Sequence, residues 1–184
     1  SGRAPSYTML KFFAKPVKWL EINYHHGSLV SGVIDSVRSY YTAIGVYKEV
    51  YKHKFIATNL LTIKPFNNTF LSVGNSIVYS DLGGINSSYL IPVFFYKSID
   101  HSLNHDIENQ NSQMFFTFSS RSFKHLHLFC NLFVDEFKKS RLFNDSLNNF
   151  YSWQMGFSLD NWPVQNLSLK IESVNNSPMV YKHT

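Results

Sequence analysis

Short apolar runs separated by turn residues are the sequence feature that most constrains the fold of this chain. Phe55–Ile63 and Thr69–Tyr79 have the length and the β-branched and aromatic content of strands. Tyr89–Tyr96 is almost continuously apolar, which is typical of a central strand. Val17–Tyr24 and Met114–Phe118 also have strand-like patterns. These runs predict a mainly antiparallel sheet.

Two further stretches have the spacing of an α-helix. Ser28 is a suitable N-cap, and apolar residues then recur every three or four positions until Gly45, which is typical of a helix end. Ser122 precedes a second apolar stripe, which includes Cys130 and ends among cations that favour a helix C-terminus. We therefore predict an α+β fold, in which one mainly antiparallel sheet is joined by two principal helices, at about 28–44 and 122–142.

The length of 184 residues fits one domain. Residues 1–16 contain two prolines and no clear period, so we expect a flexible basic arm there. Residues 17–184 are then a single α+β domain. The lone cysteine, Cys130, excludes an intramolecular disulfide and favours a reducing compartment or the interior of a particle.

The net positive charge of the chain comes entirely from its first third. Residues 1–64 hold nine Lys or Arg and three acids, a net charge of +6, whereas residues 65–184 hold eight against nine, a net of −1. Such asymmetry favours contact with an anionic partner, which could be a phosphate backbone or an acidic lipid leaflet.

The residues predicted to make this contact are basic and aromatic. Tyr47 and Tyr51 alternate with lysines, and Phe12 and Phe13 form an apolar knot between lysines that could insert into a bilayer. The predicted cations are Lys11, Lys15, Lys18, Lys48, Lys52 and Lys54. His25 and His26 could form a pH-sensitive contact, because imidazole titrates near neutrality.

Catalytic patterns are not recognisable in this sequence. It has no phosphate-binding Gly-rich loop, no nucleophile elbow and no zinc-knuckle spacing. His101 and His105 are four residues apart, but their segment lacks helical periodicity and is better interpreted as a solvated loop. We therefore expect a binding protein rather than an enzyme, with no cofactor and no metal.

Residues 5–63 resemble the start of a rhabdovirus matrix protein core. Pro5 and Tyr7 would correspond to the late motif in the flexible arm, followed by a strand at Val17–Tyr24, a helix at Ser28–Ile44 and a basic stretch at Lys48–Lys54. Met114–Phe118 and the helix from Phe123 resemble the later strand and helix of that family.

The resemblance implies a non-enzymatic viral structural protein that self-associates and links an acidic membrane leaflet to the nucleocapsid or RNA during assembly and budding. It also implies possible recruitment of host budding factors. The expected location is the virion interior beneath the envelope and, before release, the host cytoplasm and the inner face of the plasma membrane.

Two alternatives remain open. The order of strand, helix and several strands, then a further strand, a helix and Phe150-Tyr151-Ser152, is also similar to the N-terminal domain of the mitochondrial AAA translocase that handles folded Rieske protein. A viral capsid protein is the third reading. The Phe-rich strands allow it, although two long helices fit a small jelly roll poorly.

Overall fold

An eight-stranded antiparallel sheet dominates the computed structural model, which describes residues 8–80, 84–93, 95–96, 111–135 and 150–177. The strands of this sheet are β1 (Met9–Val17), β2 (Leu20–Leu29), β5 (Lys54–Phe66), β6 (Thr69–Tyr79), β7 (Asn111–Ser120), β8 (Leu126–Asp135), β9 (Phe150–Asp160) and β10 (Ser168–Asn176). A separate two-stranded ribbon consists of β3 (Tyr40–Tyr41) and β4 (Tyr47–Lys48), and a 3₁₀ helix spans Ser87–Leu90.

The sheet is a meander, because each strand pairs with its neighbour in the chain once the inserted ribbon is set aside. It consists of four hairpins: β1–β2, β5–β6, β7–β8 and β9–β10. Within a hairpin the connection is short, at residues 18–19, 67–68, 121–125 and 161–167. The connections between hairpins are long, and all of them leave the opposite end of the sheet, at residues 30–53, 80–110 and 136–149.

Residues that stand directly opposite each other in an antiparallel ladder share a face of the sheet. The pairing therefore assigns Tyr24, Ala57 and Ile77 to one face, which we call the apolar face. The same face continues through Met114 and Val134. The other side, which we call the polar face, carries mostly Ser, Thr, Asn, Gln and Gly with a few Phe side chains.

The core lies on the apolar face of β2, β5 and β6. Tyr89 of the 3₁₀ helix and Tyr96 cover this region, and both are fully buried. The ring of Tyr96 meets that of Tyr89 edge-on, Tyr89 contacts Tyr79 and Tyr79 contacts Phe55 at tilted angles, with centroid separations of 4.7–5.8 Å. The Tyr24 hydroxyl donates to the Tyr89 carbonyl oxygen at 2.9 Å, which ties the covering segment to the sheet. The buried apolar side chains are Tyr24, Phe55, Ala57, Ile77, Tyr79, Tyr89 and Tyr96.

The predicted α+β class is wrong, because neither principal helix is present. Residues 28–44 comprise the end of β2, an isolated bridge at Ile34, a turn at 36–38 and strand β3. The apolar residues of this range are largely exposed. Their helical spacing therefore does not correspond to a buried face.

The second predicted helix, at 122–142, is replaced by strand β8 over the described part of its range. Leu126–Asp135 pairs with β7 on one side and with β9 on the other, so β8 is an interior strand. Interior strands of a sheet with apolar side chains on both faces lose strict alternation, and this loss produced the misleading helical period. Residues 136–142 lie outside the described residues.

The predicted strands have mixed outcomes. Thr69–Tyr79 is confirmed as β6, Phe55–Ile63 lies within β5, and Met114–Phe118 lies within β7. Val17–Tyr24 spans the end of β1, a turn and the start of β2. Tyr89–Tyr96 is not a strand, because it contains the end of the 3₁₀ helix and a turn at 92–93. The prediction of a flexible basic arm is wrong for residues 9–16, which belong to β1.

Candidate binding surfaces

The predicted basic residues divide between the two ends of the sheet. Lys15 and Lys18 lie at the end with the short turns, beside the β1–β2 connection. Lys48, Lys52 and Lys54 lie at the opposite end, in or beside the long β2–β5 connection. A nine-residue strand such as β1 is roughly 30 Å long, so a flat anionic surface at one end would not reach the other.

Lys15 is engaged in an ion-pair network at the short-turn end. Its Nζ lies 3.0 Å from Glu21 Oε1, and the Nζ of Lys64 lies 2.6 Å from the same oxygen. The hydrogen bond from Lys64, followed by that from Lys15, lowers the pKa of Glu21, and the bond to Glu21 raises the pKa of Lys64. One carboxylate thus offsets part of the positive charge at this end.

The predicted insertion pair does not act as a pair. Phe12 stands opposite Tyr24 on the apolar face, whereas Phe13 stands opposite Asn23 on the polar face. Neighbouring residues of a strand point to opposite sides, so the two rings cannot enter one surface together. Lys11 is opposite His25 on the polar face. Pro5 and Tyr7 lie outside the described residues.

Residues 30–53, which we call the ribbon segment, form a long connection between β2 and β5 that is held together by backbone hydrogen bonds. The isolated bridge between Ile34 and Tyr51 continues the antiparallel pairing, and Asp35 N donates to the Val50 carbonyl at 2.7 Å. The buried Asp35 carboxylate accepts hydrogen bonds from Val37 N and Arg38 N at 3.1 and 3.3 Å. These bonds fix the turn from which β3 departs.

The outer part of the ribbon segment exposes apolar and aromatic side chains. Ile44, in the turn between β3 and β4, is 85% exposed, and Val37 is 91% exposed. The rings of Tyr41 and Tyr47 face each other across the ribbon with centroids 5.0 Å apart, and Tyr40 stands opposite Lys48. Gly45 has φ of +79°, the left-handed conformation that glycine adopts freely and that closes this turn.

Four cations lie in or directly beside the ribbon segment. Arg38, Lys48 and the adjoining Lys54 are exposed, and Lys52 is half-buried. Of the two acids in the segment, Asp35 is buried in the turn and forms an ion pair with Arg38 at 3.5 Å. Glu49 accepts a hydrogen bond from the Tyr51 hydroxyl at 3.0 Å. The predicted helix at 28–44 does not anticipate this arrangement, although the sequence does indicate its lysines and tyrosines as contact residues.

Over β7 to β10 the apolar face keeps several large side chains exposed. This region, which we call the open apolar area, continues the core face but contributes no side chain to the buried apolar cluster named above. Its exposed large side chains are Phe116, Tyr151, Met155, Leu169 and Ile171. The half-buried Cys130, which we expected inside a helix, lies in its middle, directly between Phe118 and Met155 in the ladder. An exposed contiguous apolar area of this kind marks an interaction surface.

On the polar face of the same strands, side chains form a network of hydrogen bonds. Asn131 donates to Gln154 at 3.0 Å, and Gln154 donates to Glu172 at 2.7 Å, so one chain of bonds crosses three strands. The Lys170 ammonium lies 2.5 Å from Glu172 and 5.3 Å from the centroid of the Phe129 ring. The hydrogen bond from Lys170, followed by that from Gln154, lowers the pKa of Glu172.

The two histidines of the predicted pH-sensitive contact, His25 and His26, lie on opposite faces of the sheet. His26 lies on the apolar face, where its Nε2 shares a hydrogen bond of 2.7 Å with the Tyr79 hydroxyl and its ring stacks on Phe55. Burial, with a smaller effect from His25, lowers the pKa of His26. His25 lies on the polar face, where burial and then Lys11 lower its pKa.

Across the ranges that the structure describes, no three His, Cys, Asp or Glu side chains come together as metal ligands. In the same ranges, no helix has the length and apolarity needed to cross a bilayer. His101 and His105 lie outside the described residues. Comparison of the chain with protein-family models, with curated proteins and with solved structures found no match.

Proposed function

We propose that this chain is a structural protein that docks on an acidic membrane surface through its ribbon segment. The observation that carries the proposal is that one hydrogen-bonded segment combines an exposed Ile44 turn, a tyrosine pair and several cations. Tyrosine rings are favoured at the level of lipid headgroups, and an apolar tip can enter the acyl boundary.

Charge supports an anionic leaflet as the partner. Each Lys or Arg near an acidic membrane contributes about 1 kcal/mol of attraction, which falls off within a Debye length of about 8–10 Å. Arg38, Lys48 and Lys54 lie in or beside the segment that carries the apolar tip. Lys15 and Lys18 lie at the far end of the sheet, so the proposal excludes them from the contact.

The proposal keeps part of the function expected from the matrix-protein resemblance. Binding to an acidic leaflet and self-association remain, while the nucleocapsid or RNA partner, the virion location and host budding factors stay predictions. The two helices that carried part of that resemblance are not found in the described residues, so the ribbon segment supports the proposal in their place.

The alternatives change in weight for the same reason. The translocase-domain resemblance also depended on helices in these two positions. The objection to a viral capsid protein was that two long helices fit a jelly roll poorly, and it no longer applies because the described residues contain neither helix. However, the strict sequential order of the strands differs from the Greek-key order of a jelly roll.

The test is co-sedimentation with liposomes that are either neutral or rich in phosphatidylserine, over a salt series. We expect binding to the acidic liposomes only, weakening as salt rises. Changing Lys48 and Lys54 to Glu should weaken it about 100-fold or more, because each reversal replaces about 1 kcal/mol of attraction by repulsion. Ile44→Ser should weaken it by a smaller factor that does not depend on salt.

The matched control is the double change of Arg121 and Lys124 to Glu. Both side chains are exposed at the short-turn end, and the change in net charge is the same. This control should bind as the unchanged protein does. Equal loss of binding in both double variants would show that net charge, and not the ribbon segment, determines binding, and the proposal would be wrong.

A further inference from the structure

We propose that the open apolar area is the interface between two copies of this chain, which pack face to face as a two-layer β-sandwich around a two-fold axis. This inference concerns β7 to β10 and does not depend on the membrane proposal, which concerns the ribbon segment. It assigns both the surface and the geometry of the assembly.

The first argument is that the part of the chain described by the structure covers this face only in part. Around Phe55, Ala57 and Ile77 the apolar face is buried beneath Tyr89 and Tyr96, whereas farther along β5 and β6 and over β7 to β10 large side chains of the same face remain exposed. A sheet with one apolar face is stable when a second layer covers that face. Sheets that pack face to face lie about 10 Å apart with interdigitated side chains, so another sheet is a suitable cover.

The second argument is the absence of charge from this surface. Among the described residues that face this way on β7 to β10, none is Asp, Glu, Lys, Arg or His. A two-fold axis places each patch against an identical patch, so any charge there would meet its own kind. A neutral patch avoids that repulsion, and it offers nothing to attract a phosphate or an acidic lipid.

The third argument is area. Four strands spaced about 4.8 Å apart and about ten residues long cover roughly 600 Å² on each copy, or roughly 1,200 Å² for the pair. Stable protein interfaces bury about 1,200–2,000 Å² in total. The open apolar area alone therefore reaches the lower end of that range. Protruding side chains have more accessible surface than a flat area of the same outline, which increases the area that is buried.

The test uses two positions on the same strand. Ile171 and Val174 of β10 are 52% and 55% exposed, but Ile171 lies on the apolar face and Val174 on the polar face. Sedimentation equilibrium of the whole chain should show a dimer. Ile171→Glu should raise its dissociation constant about 100-fold or more, because each copy would then bury an unpaired carboxylate in an apolar interface. Val174→Glu should leave the dissociation constant unchanged.

A second measurement avoids any substitution in the interface. Trp153 lies on the open apolar area, opposite Leu132, whereas Trp19 and Trp162 lie in turns. In a variant with Trp19 and Trp162 changed to Phe, dilution should move the Trp153 emission to longer wavelength as the dimer dissociates. A chain that stays monomeric at about 100 μM, which exceeds ordinary interface dissociation constants, would overturn the inference. A dimer that Ile171→Glu leaves intact, or that Val174→Glu weakens equally, would also overturn it.

Discussion

Two glycines determine where aromatic rings lie on the polar face. Gly74 stands directly opposite Phe115 and Gly156 directly opposite Phe129. A Cβ at Gly74 would lie 2.1 Å from Phe115 Cε2 and 2.5 Å from the Asn59 carbonyl oxygen. The missing side chains therefore leave room for the rings to lie flat across the neighbouring strand, an arrangement that offsets the weak intrinsic strand preference of glycine.

We predict that Gly74→Ala lowers the free energy of unfolding by about 1–3 kcal/mol, because the added methyl group must displace both a ring and a backbone oxygen. Gly32→Ala is the control, since a Cβ there meets no atom within 4 Å. Urea unfolding followed by tryptophan fluorescence measures both. Equal stability of the two variants would show that the ring does not occupy the space above Gly74.

His26 makes the stability of the core depend on pH. Burial lowers its pKa in the folded chain below the ordinary value of 6.5, whereas the unfolded chain keeps the ordinary value. Between these two pKa values the unfolded chain binds more protons than the folded chain, so stability rises with pH in that window. The stability is complete above about pH 6.5 and is lost progressively as the pH falls through the window towards the folded-state pKa.

We therefore expect the free energy of unfolding to fall as the pH is lowered from 7.5 to 5.5, and His26→Gln to make that dependence shallower. The remaining slope comes from other groups, including His25 and His127, whose pKa values burial also lowers. Unfolding curves at several pH values measure the slope, irrespective of any uniform loss of stability. A slope that the substitution leaves unchanged would contradict the buried position of His26.

At the scale of the element, β8 shows why the sequence favoured a helix. Leu126, Phe129, Cys130 and Phe133 have helical spacing, yet in the strand they alternate between two faces that both accept apolar side chains. A continuous apolar run cannot separate an interior strand from a buried helix by period alone. The limits of β6 were predictable because turn residues bound it on both sides, and β8 offered no equally clear boundary.

The register of β8 against β9 gives a direct test of this element. Cys130 stands opposite Met155, and directly opposed residues have Cβ atoms about 4.5–5.5 Å apart, close to the separation in a disulfide. We predict that Met155→Cys forms an intramolecular disulfide with Cys130 under mild oxidation. Gln154→Cys should retain two free thiols, because residue 154 lies opposite Asn131 on the other face. Thiol titration and intact mass under non-reducing conditions distinguish the outcomes, and the reverse result would contradict the register.

At the scale of the whole molecule, the sequence indicated the type of sheet but not its extent or its exposed surfaces. The positive charge of the first third was visible, but its division between two ends of a sheet depends on pairing partners far apart in the chain. The same holds for Phe12 and Phe13, whose opposite directions follow only once both are placed in a strand. The open apolar area could not be foreseen, because the sequence does not show which apolar residues the chain itself covers.

The alternation of short and long connections has a consequence for how the chain reaches this structure. Each hairpin closes a loop of only two to seven residues, so the entropy lost in bringing its two strands together is small. The larger loop-closure cost falls on the three joins between hairpins, where 14 to 31 residues must be spanned. Every strand has at least one partner that is synthesised immediately before or after it. Folding can therefore proceed from the N-terminus during synthesis, with each hairpin adding to an edge that is already in place.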